Sequence, residues 1–323
     1  MNPVEQYLND KLQERRDNDN LRTLKASLNG IDFCSNDYLG IAKHGLPSQF
    51  SQHTLSKQTG STGSRLLSGN SADAEALEKQ LAVFHQTEAA LVFNSGYDAN
   101  IDLFSSIANK HTIYLYDALC HASIIDGIRL SIATGYKFKH NDIEDLETKL
   151  KRAEGKSVCI AVESVYSMDG DIAPLQEIAA LAKRYGASLI VDEAHATGVF
   201  GAKGAGIVQT LAIQDNVLAR VHTFGKALGC HGAVIVSSTL VKEYLTNFAR
   251  SFIYTTALPP HSISAIANVY TYLQDASFNN KMLHDIITYF RKGIASSPSL
   301  ALWRDSISPI QILVLGNNEK AKN

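Results

Sequence analysis

The octapeptide Ser188-Leu189-Ile190-Val191-Asp192-Glu193-Ala194-His195 begins as a strand and ends in titratable groups. Residues 188–191 are apolar on both faces, as a strand at the centre of a parallel sheet must be. Helices then have to cover the two sides, so the flanking chain should alternate helix and strand. It does. Upstream, Pro174 in a first turn and Gly186 at the end frame a helix. Before it come a compact strand at 158–162, helices at 143–153 and 124–133, and a strand at 112–116. Residues 74–85 are helical, with apolar side chains at 77, 81 and 84. Downstream, 220–224 and 233–237 read as two more strands. The predicted class is α/β: a mostly parallel central sheet with helices on both faces.

The two ends differ from this body. Residues 3–18 read as a charged amphipathic helix, and 31–34 as a short strand. After Leu258-Pro259-Pro260 the alternation gives way to two long helical patterns, 261–275 and 281–295, and then an alternating strand at 308–315. The expected division is an N-terminal helical segment (1–36), a large domain (37–272), and a small, incomplete C-terminal α/β domain (273–323).

Composition narrows the function classes. Thirty basic residues balance 32 acidic ones for a net charge of -2, with 45% hydrophobic residues. That is core-forming material without the charge excess of a disordered chain. Nothing in the balance favours nucleic acid or an acidic membrane surface as partner. No apolar run is long enough to span a bilayer, and no signal peptide is visible at the start, so a cytoplasmic location is expected. Cysteines 34, 120, 159 and 230 show no metal spacing and are expected to be buried, reduced thiols.

In an open parallel sheet a ligand lies beyond the carboxyl ends of the strands. Asp192 and His195 emerge there together; alone, the pair also fits a helix cap beside a surface histidine. Asp-Glu-Ala-His occurs in some helicases, but that reading needs a phosphate loop between a strand and a helix. The chain's Gly155-Lys156-Ser157 follows a helix and has Leu150 where the first glycine is required, so an ATPase is rejected. Lys226, in Thr223-Phe224-Gly225-Lys226-Ala227-Leu228-Gly229, leaves a strand between glycines that permit close approach of a ligand. Low polarity there would lower its pKa toward the nucleophilic range. Alone, it could equally be a solvated loop lysine. Asn94-Ser95-Gly96-Tyr97 starts a helix whose free N–H groups could hold phosphate or merely form a cap. His121 and Ser167 follow strands on the same side.

A phosphate-bearing aldehyde bound through a lysine would use all of these groups. Pyridoxal 5′-phosphate is such a compound, and it requires a carboxylate beside its ring nitrogen, for which Asp192 is the candidate.

The chain also resembles the α-oxoamine synthases of pyridoxal-phosphate fold type I, over about residue 15 to the end. The similarity rests on Ser35-Asn36-Asp37-Tyr38-Leu39-Gly40, Gly60-Ser61-Thr62-Gly63-Ser64-Arg65-Leu66-Leu67-Ser68-Gly69, His121-Ala122-Ser123, Glu163-Ser164-Val165-Tyr166-Ser167-Met168-Asp169-Gly170-Asp171, Asp192-Glu193-Ala194-His195-Ala196-Thr197-Gly198, Thr223-Phe224-Gly225-Lys226 and Tyr254-Thr255-Thr256-Ala257-Leu258-Pro259-Pro260. The resemblance implies that Lys226 bonds to the cofactor and moves protons. It implies that Asp192 holds the ring nitrogen, His195 the ring hydroxyl and His121 the ring face. Ser95, Gly96, Tyr97 and Thr223 would bind the phosphate region, with Ser167 near the ring, and Arg22 and His121 would contact substrate.

A homodimer with active sites at the interface is implied too, with Thr255 or Thr256 serving the neighbouring cofactor. The implied reaction is condensation of L-alanine with a pimeloyl thioester of coenzyme A or acyl carrier protein, with loss of carbon dioxide, in biotin synthesis. Glycine C-acetyltransferase is the next nearest branch. A cofactor-free scaffold of the same fold is disfavoured by intact Lys226, Asp192, His195 and His121. Two departures stand out. Asn70 replaces a common threonine or tyrosine, and the family pattern continues past Asn323 with a substrate-side threonine and arginine. The corresponding expectation is cofactor binding with slow condensation.

Overall fold

Seven strands form one sheet in the order β1-β7-β6-β5-β4-β2-β3. They are β1 (Ala89–Phe93), β2 (Thr112–Asp117), β3 (Thr134–Phe138), β4 (Ser157–Glu163), β5 (Ser188–Asp192), β6 (Ala219–Thr223) and β7 (Ala233–Ser237). Only β7 runs against the others, pairing antiparallel with both β1 and β6. The computed structural model describes residues 2–24, 30–50 and 58–322.

The central strands are apolar throughout because both of their faces are covered. In β4 and β5, Ile160, Val162, Leu189 and Val191 point to one side and meet Leu146, Leu150, Ile178 and Leu181 of the helices Ile143–Arg152 and Leu175–Tyr185. Their alternates Cys159, Ala161 and Ile190 point to the other side. There they join Leu103, Phe104, Ile124 and Ile128 from the helices Gly96–Ser106 and Ala122–Leu130. Each such large side chain contributes about 1.5–3 kcal/mol by leaving water. A third cluster packs the helices Ala72–Phe84 and Pro260–Gln274 over β1 and β7, through Leu77, Leu81, Val92, Val234, Ile266 and Tyr270. The helix that begins at Pro260 therefore shares the core of the sheet.

Several local expectations need correction. Residues 31–34 form no strand: Asp32 Oδ1 accepts the Cys34 and Ser35 amides at 2.8 and 3.0 Å, bending the chain locally. Ile31 and Phe33 are left exposed, and so is Cys34, which is not the buried thiol expected. The helix expected over 124–133 ends at Leu130, and the edge strand β3 follows. Four of its five residues are exposed, so the apolar signal of a strand was absent.

Residues 308–315 also fail to form a strand; the only pairing there is an isolated bridge between Trp303 and Leu313. Pro309 lacks an N–H for a ladder. Ser308 N instead bonds to Ser306 Oγ, and Gln311 Nε2 to the Ser306 and Ser308 carbonyls. This segment docks on Gly170, whose φ of +73° suits glycine and where a Cβ would clash with Ile310 O.

Candidate active site

Since β7 alone is reversed, β1, β2, β4, β5 and β6 all end at the same edge of the sheet. The chain leaving each of them carries residues singled out from sequence. Ser95, Gly96 and Tyr97 follow β1, His121 follows β2, and Ser167 follows β4. Asp192 ends β5 with His195 just beyond, and Thr223 ends β6 with Lys226 just beyond.

Lys226 Nζ lies 2.8 Å from His195 Nε2. Burial lowers the amine's pKa, while the Asp192 and Glu163 carboxylates pull it the other way. For His195, burial and then the positive charges of Lys226 and His121 hold the imidazole down at about 3, so it stays neutral. Its other nitrogen, Nδ1, is 2.9 Å from the Tyr38 hydroxyl.

Asp192 is held from two sides. Oδ1 accepts the Ala194 amide at 2.9 Å, and Oδ2 accepts Asn100 Nδ2 at 2.8 Å. Asn100 also donates to Ser123 Oγ at 3.0 Å, and Ser123 Oγ is 2.7 Å from His121 Nδ1. The serine hydroxyl, already an acceptor from Asn100, donates to Nδ1 and leaves His121 Nε2 protonated. Burial lowers the His121 pKa against the pull of Asp192.

Glu163 is register partner to Asp192 across β4 and β5. It accepts the His121 amide at 2.5 Å, and the Ser167 amide faces it. Burial, and then the Asp192 charge, raise its pKa to about 8. The next acid, Glu193, points into the core instead. It accepts the Ile207 and Val208 amides and the Ser164 hydroxyl, and it anchors structure.

Ser95 caps the helix Gly96–Ser106 by accepting the Asp98 amide at 3.0 Å. A first-turn helix leaves the Gly96 and Tyr97 N–H groups without intrahelical partners. A side chain at Gly96 would occupy the space beside Thr223, 3.5 Å from its Cβ and Oγ1. Tyr97 is turned aside, donating to Asp126 at 2.7 Å. Arg22 is not brought into this cluster: it lies exposed after the first helix.

Four residues of the cluster were not singled out from sequence. Tyr38, Ser123 and Glu163 sit inside quoted motifs, and Asn100 lies one helical turn after Gly96. That i, i+4 spacing, and the carboxylate at the exit of β4, were the available signals.

The donor set fits pyridoxal phosphate. A half-buried primary amine, a helix start with free amides and an open cradle at Gly96, and a carboxylate pinned at a strand end match its aldehyde, phosphate and ring nitrogen. These features define a fold type I pyridoxal-phosphate enzyme. The chain belongs to the class I and II aminotransferase family, whose profile matches residues 29–323.

Among its relatives is an 8-amino-7-oxononanoate synthase from Emericella nidulans, 42% identical over 313 residues, which span 89% of this chain and 76% of that protein. The crystal structure of an 8-amino-7-oxononanoate synthase from Francisella tularensis superposes with a TM-score of 0.75 at 33% identity, over 89% of this chain and 82% of that one. A serine palmitoyltransferase variant from S. paucimobilis, with a bound pyridoxal phosphate–myriocin aldimine, superposes at 0.88 and 28% identity, over 99% and 88%. The protein is a pyridoxal-phosphate-dependent, acyl-transferring enzyme.

Proposed function

We propose that the enzyme condenses L-alanine with a pimeloyl thioester, with loss of carbon dioxide, to form 8-amino-7-oxononanoate for biotin synthesis. The observation that carries this reading is the convergence of Lys226, His195, Asp192 and His121 on one edge of the sheet, in a chain whose curated relatives bear that name. When bound, pyridoxal phosphate supplies the electron sink that makes the α-carbon of an amino acid acidic.

The chain's residues do the rest. Lys226 would hold the cofactor through its amine and would serve as the base for the α-proton; the lowered pKa of its amine suits a base. Asp192, fixed by Asn100 and Ala194, keeps a proton on the ring nitrogen. His195 would stand beside the ring hydroxyl, His121 would serve the ring face, and Ser167 would be near the ring. Ser95, Gly96, Tyr97 and Thr223 would hold the phosphate region. Arg22 would contact substrate.

The working unit in this reading is a cytoplasmic homodimer with active sites at its interface. In this reading a polar cavity of about 580 Å³, lined by residues including Ser61, Thr62, Arg65, Asn94, Thr255 and Thr256, is the surface offered to the neighbour. Asn94 Nδ2 holds that segment through Thr256 O at 2.9 Å. In the same reading, residues 273–323 belong to a small C-terminal domain.

The test is product formation from L-alanine with pimeloyl coenzyme A and with pimeloyl acyl carrier protein, beside serine with palmitoyl coenzyme A and glycine with acetyl coenzyme A. Preferred turnover of alanine with pimeloyl thioester supports the reading. Preferred turnover of either other pair replaces it with another α-oxoamine synthase.

A further inference from the structure

Tyr38 stands 157 positions from His195 in the chain, yet its hydroxyl lies 2.9 Å from His195 Nδ1 and 2.9 Å from Asn36 Oδ1. A phenol has a single proton, and the Asn36 carbonyl oxygen can only accept. The Tyr38 proton therefore goes to Asn36, and His195 Nδ1–H donates to the phenol oxygen. His195 Nε2 is left with a lone pair, and the Lys226 amine, 2.8 Å away, donates to it. Every proton in the row Asn36–Tyr38–His195–Lys226 is thus assigned.

Burial raises the Tyr38 pKa, so the phenol keeps its proton at any working pH. The charged or titratable groups facing His195 are Lys226 from the exit of β6, His121 from the exit of β2, and Tyr38 itself. Among the described residues no carboxylate is paired with the imidazole, so its tautomer is set by the Tyr38 hydroxyl.

We propose that Tyr38 is a positioning residue: it locks His195 as the Nδ1–H tautomer, and so keeps an acceptor aimed at the Lys226 nitrogen. The proposal rests on the reading of Lys226 as the cofactor-binding lysine. Without the hydroxyl, His195 can move its proton to Nε2 and no longer accepts from Lys226. The protonated form of the Lys226 nitrogen then loses a hydrogen bond.

The experiment is a pH titration of the visible absorbance of cofactor-loaded protein, for wild type, Tyr38→Phe and Asn36→Ala. Tyr38→Phe keeps the ring and removes only the hydroxyl. The midpoint should fall by about half a unit, a threefold loss of proton affinity. Asn36→Ala should shift it in the same direction by less, because the phenol proton is then free to turn toward His195. Midpoints unchanged from wild type in both variants overturn the proposal. Should Tyr38→Phe fail to hold cofactor, Asn36→Ala decides: a fall supports the role and an unmoved midpoint overturns it. Borohydride reduction of the wild type separates the two levels. Cofactor not trapped on Lys226 would overturn the underlying reading, whereas trapped cofactor with unshifted variants overturns the role of Tyr38 alone.

Discussion

Asn100 Nδ2 lies 2.8 Å from Asp192 Oδ2, and the same nitrogen is 3.0 Å from Ser123 Oγ. One buried amide thus ties the carboxylate at the end of β5 to the hydroxyl that orients His121. The helix carrying Asn100 is the one whose first turn presents Gly96 and Tyr97. One side chain thus links Asp192 to the partner of His121, from the helix that begins at Gly96.

Asn100→Ala should leave Asp192 with only the Ala194 amide and free the Ser123 hydroxyl from its donor. A lost hydrogen bond to a buried charge is worth about 1.5–3 kcal/mol, so turnover should drop roughly ten- to a hundredfold. Steady-state kinetics with cofactor content measured in parallel checks this. Unchanged turnover at full cofactor content would remove Asn100 from the positioning role.

Asp192→Asn preserves size and removes the charge. The ring nitrogen then has no anion to keep it protonated, and turnover should fall on the order of a hundredfold or more. Near-normal rates in that variant would contradict the assignment.

Lys226→Ala should abolish the covalent, borohydride-trapped bond between protein and cofactor. It should also lower turnover by roughly 10²–10⁴-fold, as loss of a general base does. Mass spectrometry after reduction shows whether the added mass disappears from the peptide containing residue 226.

His140 predicts a pH effect on stability rather than catalysis. Its nitrogens lie 2.8 Å from Asp117 Oδ1 and 2.7 Å from Asp171 Oδ2. Burial alone would depress the imidazole, but the hydrogen bonds and charges of the two aspartates outweigh it and raise the pKa to about 10. The pair's stabilisation is therefore fully present below the ordinary value of 6.5 and is lost as pH rises toward 10. His140→Ala should destabilise by roughly 1.5–3 kcal/mol near pH 6. Thermal melts should show the gap to wild type closing above pH 9.

Glu163 behaves as a buried acid whose folded pKa, about 8, exceeds its ordinary value of 4.5. Its contribution is present below pH 4.5 and is lost as pH rises through 8, when a second negative charge appears beside Asp192. Glu163→Gln keeps an acceptor for the His121 amide without that charge. The variant should match wild type near pH 5 and melt higher near pH 8.5, by a few degrees. Parallel melts at both pH values, with no gap at 8.5, would contradict the buried-acid role.

The alternating body of the chain was legible because buried parallel strands advertise themselves. Ile160, Val162, Leu189 and Val191 have no solvent face, so composition alone marks 158–162 and 188–191 as strands. With strands placed, Asp192, His195, His121, Ser167 and Lys226 fall at their carboxyl ends, which is where ligands bind in such sheets. Residues 31–34 and 308–315 misled because alternation is necessary but not sufficient for a strand. Asp32, Ser306 and Ser308 met the local backbone's hydrogen-bond needs before a neighbouring strand could.

Local pattern could name the chemical groups but not how they face one another, because hydrogen bonds between distant segments leave no periodicity. Tyr38 reaches His195 across 157 positions, and Asn100 reaches Asp192 across 92. Glu163 and Asp192 became neighbours through the register of β4 against β5. Glu193, adjacent to Asp192 in the chain, was sent to the core, since successive residues leaving a strand point to opposite sides. Strand order and register set those distances, and with them the protonation states on which the chemistry depends.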